Sequence, residues 1–270
     1  MRKRFAVLPK AYMGILIILM YVPIILVIIY SFNVSKISSE WSGFTLDWYA
    51  ALFRDRLILE ALRNSLVLAL ISSFGAAVIG TLAATGASRT KIKGAGVMEY
   101  FSIVPIMIPE IILGMVFLAF FAMLGLPFGM TTLAIAHISF CTPYVYLLVK
   151  ARLAGLDEIY IEAAKDLGAS EVRAFRDVTL PLIMPAILSG MLLSFAMSFD
   201  DVIISAFVMG VNTNTLPLKI YSQVKTGVTP KTNALCSLLF FATVLLCLLS
   251  VWIGRLRKNG SNANSATLSY

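Results

Sequence analysis

The chain has 270 residues, of which 59% are hydrophobic and only 13% are charged. Soluble globular domains carry roughly 25% charged residues, so this composition excludes an ordinary soluble protein and indicates a membrane protein. The net charge of +8 does not indicate nucleic-acid binding, because the basic residues lie between apolar segments rather than in one block. Cys141, Cys236 and Cys247 lie inside apolar runs without metal or redox spacing, so we expect neither a metal site nor a catalytic cysteine.

Six apolar runs are each long enough to cross a bilayer core of ~30 Å, which takes about 20 helical residues. In chain order they cover residues 11–32, 62–88, 97–124, 129–149, 182–208 and 232–253. The third run contains Pro105 and Pro109, which predict a hinge, and Gly114 indicates local flexibility beside it. Residues 259–270 are rich in Asn and Ser and are predicted to form a disordered polar tail. The sequence therefore predicts an all-α membrane protein: one domain over residues 1–270, with the core spans inside 62–254.

The distribution of basic residues predicts the orientation of these helices. If the N-terminus is cytoplasmic, fifteen of the 22 Lys and Arg residues fall in cytoplasmic segments and seven in outer segments. Cytoplasmic loops of membrane proteins carry an excess of Lys and Arg, so we expect both termini in the cytoplasm. Residues 155–181, here called the charged loop, then form the second cytoplasmic loop.

The charged loop is a polar segment between two strongly apolar ones. We expect a helix that begins at Asp157, whose side chain can cap it, and ends at Gly168, where a left-handed residue is favoured. A second helical piece is expected to end at Leu180 and Pro181, where the fifth span begins. The first helix has an apolar stripe at near-helical spacing, formed by Ile159, Tyr160, Ala163, Ala164 and Leu167. On pattern alone, this segment is either a solvated loop or a docking surface for a soluble partner.

The spacing of the charged loop resembles the E-A-A signature of the permease subunits of ABC importers. The matching residues are Glu162, Ala163, Ala164, Gly168, Val178, Leu180 and Pro181. That family often has isoleucine where this chain has Val178. Further stretches, including YVPIILVIIYSFN, SFDDVIISAFV and GVTPKTNAL, resemble the second permease subunits of bacterial spermidine/putrescine importers. Together these stretches extend from the first span to the last.

The resemblance implies the type I importer permease fold in a bacterial inner membrane. It also implies a second permease subunit as a heterodimer partner, two copies of an ABC ATPase, and an extracytoplasmic polyamine-binding protein. Glu162, Ala163, Ala164 and Gly168 would be the residues that dock on the ATPase. This chain contains no G-x-x-x-x-G-K-[ST] phosphate loop, so we expect it to lack an ATPase site of its own. We therefore expect a transport subunit that is not an enzyme and holds no cofactor. ATP and Mg²⁺ would be used by the partner ATPase.

Four ionisable residues fall inside the apolar runs: Glu110, His137, Asp200 and Asp201. Such residues are costly in a bilayer and indicate function by default. Glu110, Asp200 and Asp201 are the candidate pathway residues, since a polyamine cation needs anionic groups to replace its hydration. On a continuous helix Asp200 and Asp201 point about 100° apart, so we expect at least one to face the pathway while the other bonds a neighbouring helix or reaches the outer interface.

Structural alternatives remain for each of these residues. Asp200 and Asp201 also fit a structural pair satisfied by backbone donors or by the outer loops, and Glu110 fits an acceptor beside the proline break. His137 is more typical of a hydrogen bond between helices. For the whole chain, the hypotheses are a polyamine permease, the same kind of permease with another cargo, or a proton-coupled secondary transporter that uses these residues as a relay. A non-transporting membrane scaffold is a fourth hypothesis, which the costly charges inside the apolar runs disfavour.

Overall fold

The structure is a computed structural model that describes residues 7–35, 40–89, 95–157 and 159–267. Apart from an isolated β-bridge between Asn33 and Phe44, these residues form helices joined by short connections. In chain order the helices are α1, Val7–Tyr30; α2, Asp47–Arg54; α3, Arg56–Arg89; α4, Ala95–Met107; α5, Glu110–Met123; α6, Met130–Ala154; α7, Ile159–Asp166; α8, Glu171–Ala174; α9, Leu180–Asp200; α10, Ile203–Val208; α11, Leu216–Thr226; and α12, Pro230–Thr267. A π-helical turn, Phe175–Thr179, joins α8 to α9. The expectation of an all-α protein is confirmed.

Within the described ranges, five helices are long and apolar enough to cross a membrane. They are Tyr12–Tyr30, Arg56–Ser88, Met130–Ala154, Glu171–Asp200 and Pro230–Leu248. They overlap five of the six predicted runs, and each exceeds the roughly 17-residue minimum for a spanning helix. The predicted run at 97–124 is the exception.

The third run is two helices rather than one. Helix α4 ends at Met107 and α5 begins at Glu110, with Pro109 in an extended conformation (ψ 133°) between them. Pro109 has no N–H to continue the helix, and its ring drives the preceding residue out of the helical region. Pro105 lies inside α4, so only the second proline breaks the run. The 14-residue α5 is too short to cross a bilayer alone.

The fifth and sixth runs also differ from the sequence-based expectation. Helix α9 ends at Asp200, and Asp201 is extended (ψ 130°), so the short α10 is a separate helix. Helix α12 continues through Thr267, whereas the sequence predicts disorder from residue 259. Extending a formed helix costs far less than nucleating one, and no proline interrupts this segment, so the helix persists into the polar tail.

The described residues form two compact units, and the first contains those up to Arg56 and from Ser222 onward. In this unit α12 packs against α1 and α2. The buried Asn33 side chain organises the loop between α1 and α2. Its Nδ2 donates to the Glu40 carbonyl at 2.6 Å, and its Oδ1 accepts from the Ser42 N–H at 2.9 Å.

The second unit contains residues 57–221 and is built around α6, which packs most extensively on α9. Small residues bring the helices close. A methyl group built on Gly80 of α3 would lie 2.8 Å from Val145 Cβ, and one on Gly190 of α9 would lie 3.1 Å from Val145 Cα. Close approach at glycine is the usual way in which membrane helices pack.

Gly114 also serves packing, which corrects the expectation of flexibility. It is buried in α5, and a methyl group at this position would lie 2.6 Å from Cδ2 of Phe207 in α10. Contacts shorter than 3.0 Å are essentially never formed by real Cβ atoms, so any side chain at this position would force Phe207 to shift. The residue therefore stabilises the pair of short helices that follow the two breaks.

Candidate functional site

The charged loop presents an apolar surface that the described residues leave largely uncovered. Helix α7 has no buried residue. Ile159 is 63% exposed and Leu167 is 90% exposed, and both belong to the predicted apolar stripe. Glu162 and Ala163 are exposed beside them, while Ala164 is half-buried. An uncovered apolar surface on a polar loop is typical of an interaction site.

The caps of α7 are those predicted from the sequence. The Ile159 N–H donates to Oδ1 of Asp157 at 3.1 Å, which caps the first turn. Gly168 has φ +85°, the left-handed conformation expected of it. Its N–H donates to the Lys165 carbonyl at 2.8 Å, and the next N–H, of Ala169, donates to the Ala164 carbonyl at 3.0 Å. These two bonds form a Schellman motif, which fixes the end of the helix.

The charged loop leads into α9 without a break in the helix, which the sequence does not predict. Lys165 Nζ lies 2.7 Å from Glu171 Oε1, an ion pair that joins α7 to α8. The second helical piece does not end at Pro181, because α8, the π-helical turn and α9 form one continuous run. The Leu180 N–H donates to the Phe175 carbonyl. The π-helical turn shifts the hydrogen-bond register just before the proline, which has no N–H to offer.

Glu110 is the first residue of α5 and is exposed. Among the described residues, its carboxylate makes no hydrogen bond. The alternative in which Glu110 accepts hydrogen bonds from the backbone beside the proline break therefore gains no support. The half-buried Tyr144 of α6 lies within electrostatic range of this carboxylate. An exposed carboxylate is suited to a charge-assisted hydrogen bond with an ammonium group.

Asp200 and Asp201 have different environments. Asp200 is the exposed last residue of α9. Asp201 is only 9% exposed, and its carboxylate caps α10: Oδ1 accepts from the Ile204 N–H at 3.1 Å and Oδ2 from the Ser205 N–H at 2.8 Å. The expected 100° separation on one helix is wrong, because the helix ends between the two residues. One of the two does bond a neighbouring helix, as predicted.

That neighbour is His137 of α6, which is fully buried. Its Nε2 lies 3.4 Å from Asp201 Oδ2 and 3.3 Å from Ser205 Oγ. Its Nδ1 lies 2.8 Å from Ser198 Oγ of α9. The expected helix-to-helix role of His137 is therefore confirmed. We call His137, Ser198, Asp201 and Ser205 the polar cluster.

The sequence analysis did not identify Ser198 and Ser205. A serine in an apolar helix is common, so neither residue stands out alone. The sequence does indicate that a helix could begin after Asp201, because an Asp followed by a helical turn that contains Ser205 is typical of an N-cap.

The chain matches a family model described as "Binding-protein-dependent transport system inner membrane component" over residues 76–258. It belongs to this family. It is 40% identical over 245 residues to the spermidine/putrescine transport system permease protein PotC of Escherichia coli K12, covering 91% of this chain and 93% of PotC. It is also 40% identical over 230 residues to the putrescine transport system permease protein PotI of the same strain, covering 83% of this chain and 82% of PotI.

Solved structures share the fold at low sequence identity. A chain of a bacterial ABC transporter that imports the acidic polysaccharide alginate aligns with a TM-score of 0.73 and 14% identity, covering 94% of this chain and 96% of that one. A chain of the MetNI methionine ABC transporter aligns with a TM-score of 0.59 and 19% identity, covering 72% and 92%. The chain is thus a homologue of the PotC and PotI permeases with an ABC transporter permease fold.

Proposed function

We propose that this protein is a permease subunit of an ATP-driven importer of spermidine and putrescine. The observation that carries the proposal is the 40% identity to PotC over 91% of the chain. The exposed carboxylates of Glu110 and Asp200 agree with a cationic cargo and disfavour an anionic one.

The proposed membrane arrangement has six spans with both termini in the cytoplasm, as in type I importer permeases. Helices α4 and α5 together make the third span, bent at Pro109, and α9 with α10 makes the fifth. Broken helices are tolerated in a membrane where the freed backbone groups are satisfied inside the protein. At the second break, the carboxylate of Asp201 satisfies two of these groups.

The charged loop is the proposed docking surface for the ATPase. Glu162, Ala163, Ala164 and Gly168 lie along α7 and its cap, and the two alanines belong to the apolar stripe. Small alanine side chains let a partner surface approach the helix backbone closely. The run from Glu171 to Asp200 then provides a continuous helical connection from the docking surface to the level of Asp200.

The proposed pathway uses Glu110, Asp200 and Asp201. Exposed carboxylates replace part of the hydration that a polyamine loses on entering the spans, and separate positions prevent one site from trapping the cargo. Glu110 and Asp200 are accessible on this chain, whereas Asp201 is buried. We therefore assign direct contact with cargo to the first two and a supporting role to the third.

The proposed partners are a second permease subunit, two copies of an ABC ATPase and an extracytoplasmic polyamine-binding protein. The ATPase binds ATP and Mg²⁺, and this chain itself holds no cofactor. One related structure was determined with a periplasmic protein bound to an alginate pentasaccharide, which supports an extracytoplasmic partner for this fold.

The test is competition for uptake in proteoliposomes that contain the whole complex. Labelled spermidine is offered with excess unlabelled spermidine, putrescine, glutamate or arginine, and with a binding protein present. We expect only the two polyamines to compete. Competition by arginine or glutamate with none by putrescine would refute the cargo assignment.

A further inference from the structure

The polar cluster lies where three helices meet. His137 comes from α6, Ser198 from the last turn of α9, and Asp201 and Ser205 from the break and the start of α10. All four residues are buried, and the Phe140 ring lies edge-on to the imidazole with 5.1 Å between ring centroids. Cargo moving over the exposed surface of α9 therefore has no access to His137.

The two ring nitrogens of His137 face the two sides of the α9–α10 break. The Asp201 carboxylate accepts two backbone N–H bonds, and an ionised carboxylate has no proton to donate. Nε2 of His137 lies 3.4 Å from the Asp201 carboxylate. Nδ1 shares a hydrogen bond of 2.8 Å with the Ser198 hydroxyl. The imidazole thus contacts both sides of the α9–α10 break.

The break between α9 and α10 determines the direction of the Asp200 carboxylate. Because Asp201 leaves the helical conformation (ψ 130°), α9 ends with Asp200 on its exposed side. His137 holds the residue after Asp200 through Asp201, and it holds the turn before it through Ser198. Both attachments come from α6, so the position of Asp200 is fixed relative to the core helix of the unit.

We propose that His137 is a positioning residue for cargo transfer: it fixes the α9–α10 break through Asp201 and Ser198 and so sets the position of the Asp200 carboxylate, without touching cargo. This role rests on the proposed transport of polyamines.

The test compares the transport rates of spermidine, with three positive charges, and putrescine, with two. The attraction of Asp200 for cargo grows with the charge on the cargo, so loss or displacement of this carboxylate changes the ratio of the two rates. Damage to the fold alone lowers both rates without changing their ratio. Rates are measured in proteoliposomes at saturating cargo-loaded binding protein and are normalised to assembled complex.

The two amides glutamine and asparagine separate the two bonds of His137. Nε2 lies one bond further from the backbone than Nδ1, so the glutamine amide replaces Nε2 and the shorter asparagine amide replaces Nδ1. His137→Gln keeps the bond to Asp201, whereas His137→Asn keeps only the bond to Ser198. Asp201→Asn removes the charged acceptor with little change in volume and provides a second variant if His137→Asn does not assemble.

Asp200→Asn is expected to lower the spermidine-to-putrescine rate ratio about threefold or more, and His137→Asn and Asp201→Asn about twofold in the same direction. His137→Gln, which keeps the bond to Asp201 and loses the one to Ser198, is expected to lower the ratio less than His137→Asn does. Coupled residues are non-additive, so His137→Asn added to Asp200→Asn should lower the ratio no further.

Three results overturn the proposal. In the first, His137→Asn and Asp201→Asn lower both rates but leave the ratio unchanged, which makes the cluster structural only. In the second, Asp200→Asn itself leaves the ratio unchanged. In the third, the wild-type complex moves neither polyamine; this result alone also refutes the proposed function, so the two failures are distinguishable.

Discussion

Gly168 offers a direct test of the docking surface. A substitution there strains the backbone but introduces no steric clash within the chain. Gly168 has φ +85°, and a methyl group built on it meets no atom within 4 Å. Gly168→Ala therefore adds no clash and costs only the left-handed conformation, about 1–2 kcal/mol. If docking needs the capped α7, the affinity for the ATPase falls about fivefold to thirtyfold, since 1–2 kcal/mol corresponds to that factor.

Gly155 provides the matched control in the same charged loop. It is exposed, has φ −95°, and a methyl group there would have its nearest neighbour at 3.7 Å, an ordinary contact. Gly155→Ala should bind the ATPase as the wild-type chain does. The assay is titration of the detergent-solubilised permease pair with purified ATPase. Equal affinity for Gly168→Ala and Gly155→Ala would refute the claim that the cap of α7 shapes the docking surface.

Three further substitutions test the docking surface, the packing of α5 against α10, and the cargo pathway. Ala163→Leu adds bulk to an exposed position of α7, so it should abolish ATPase co-purification while the thermal midpoint of the permease pair stays unchanged; retained ATPase would count against close docking. Gly114→Ala should destabilise the protein by about 1–3 kcal/mol through overpacking in a thermal unfolding assay, and it should cost less in a chain that already carries Phe207→Ala. Glu110→Gln should slow spermidine uptake more than putrescine uptake without loss of assembly, and equal slowing would remove Glu110 from the pathway.

The sequence predicts well those features of the structure that depend on neighbouring residues, such as helix caps and helix breaks. The cap by Asp157, the left-handed Gly168 and the break at Pro109 each depend on a residue and its immediate neighbours. Five long apolar helices follow from composition over about 20 residues. These features are decided within one or two helical turns, so no knowledge of the tertiary structure is needed to foresee them.

The features that sequence analysis missed depend on contacts between distant residues. Asp201 ends α9 because His137, 64 positions earlier in the numbering, and the α10 backbone together satisfy its carboxylate. Gly114 reads as flexible until Phe207 is packed against it. The continuous run through Pro181 requires a π-helical turn, which no residue in the segment announces.

ATP-driven accumulation of labelled spermidine is the most direct test of the central claim. Proteoliposomes contain the two permease subunits and the ATPase, with the cargo-loaded binding protein outside and ATP inside. We predict accumulation that requires ATP and continues when a protonophore has collapsed the proton gradient. Accumulation that requires the proton gradient and continues without ATP would contradict the account.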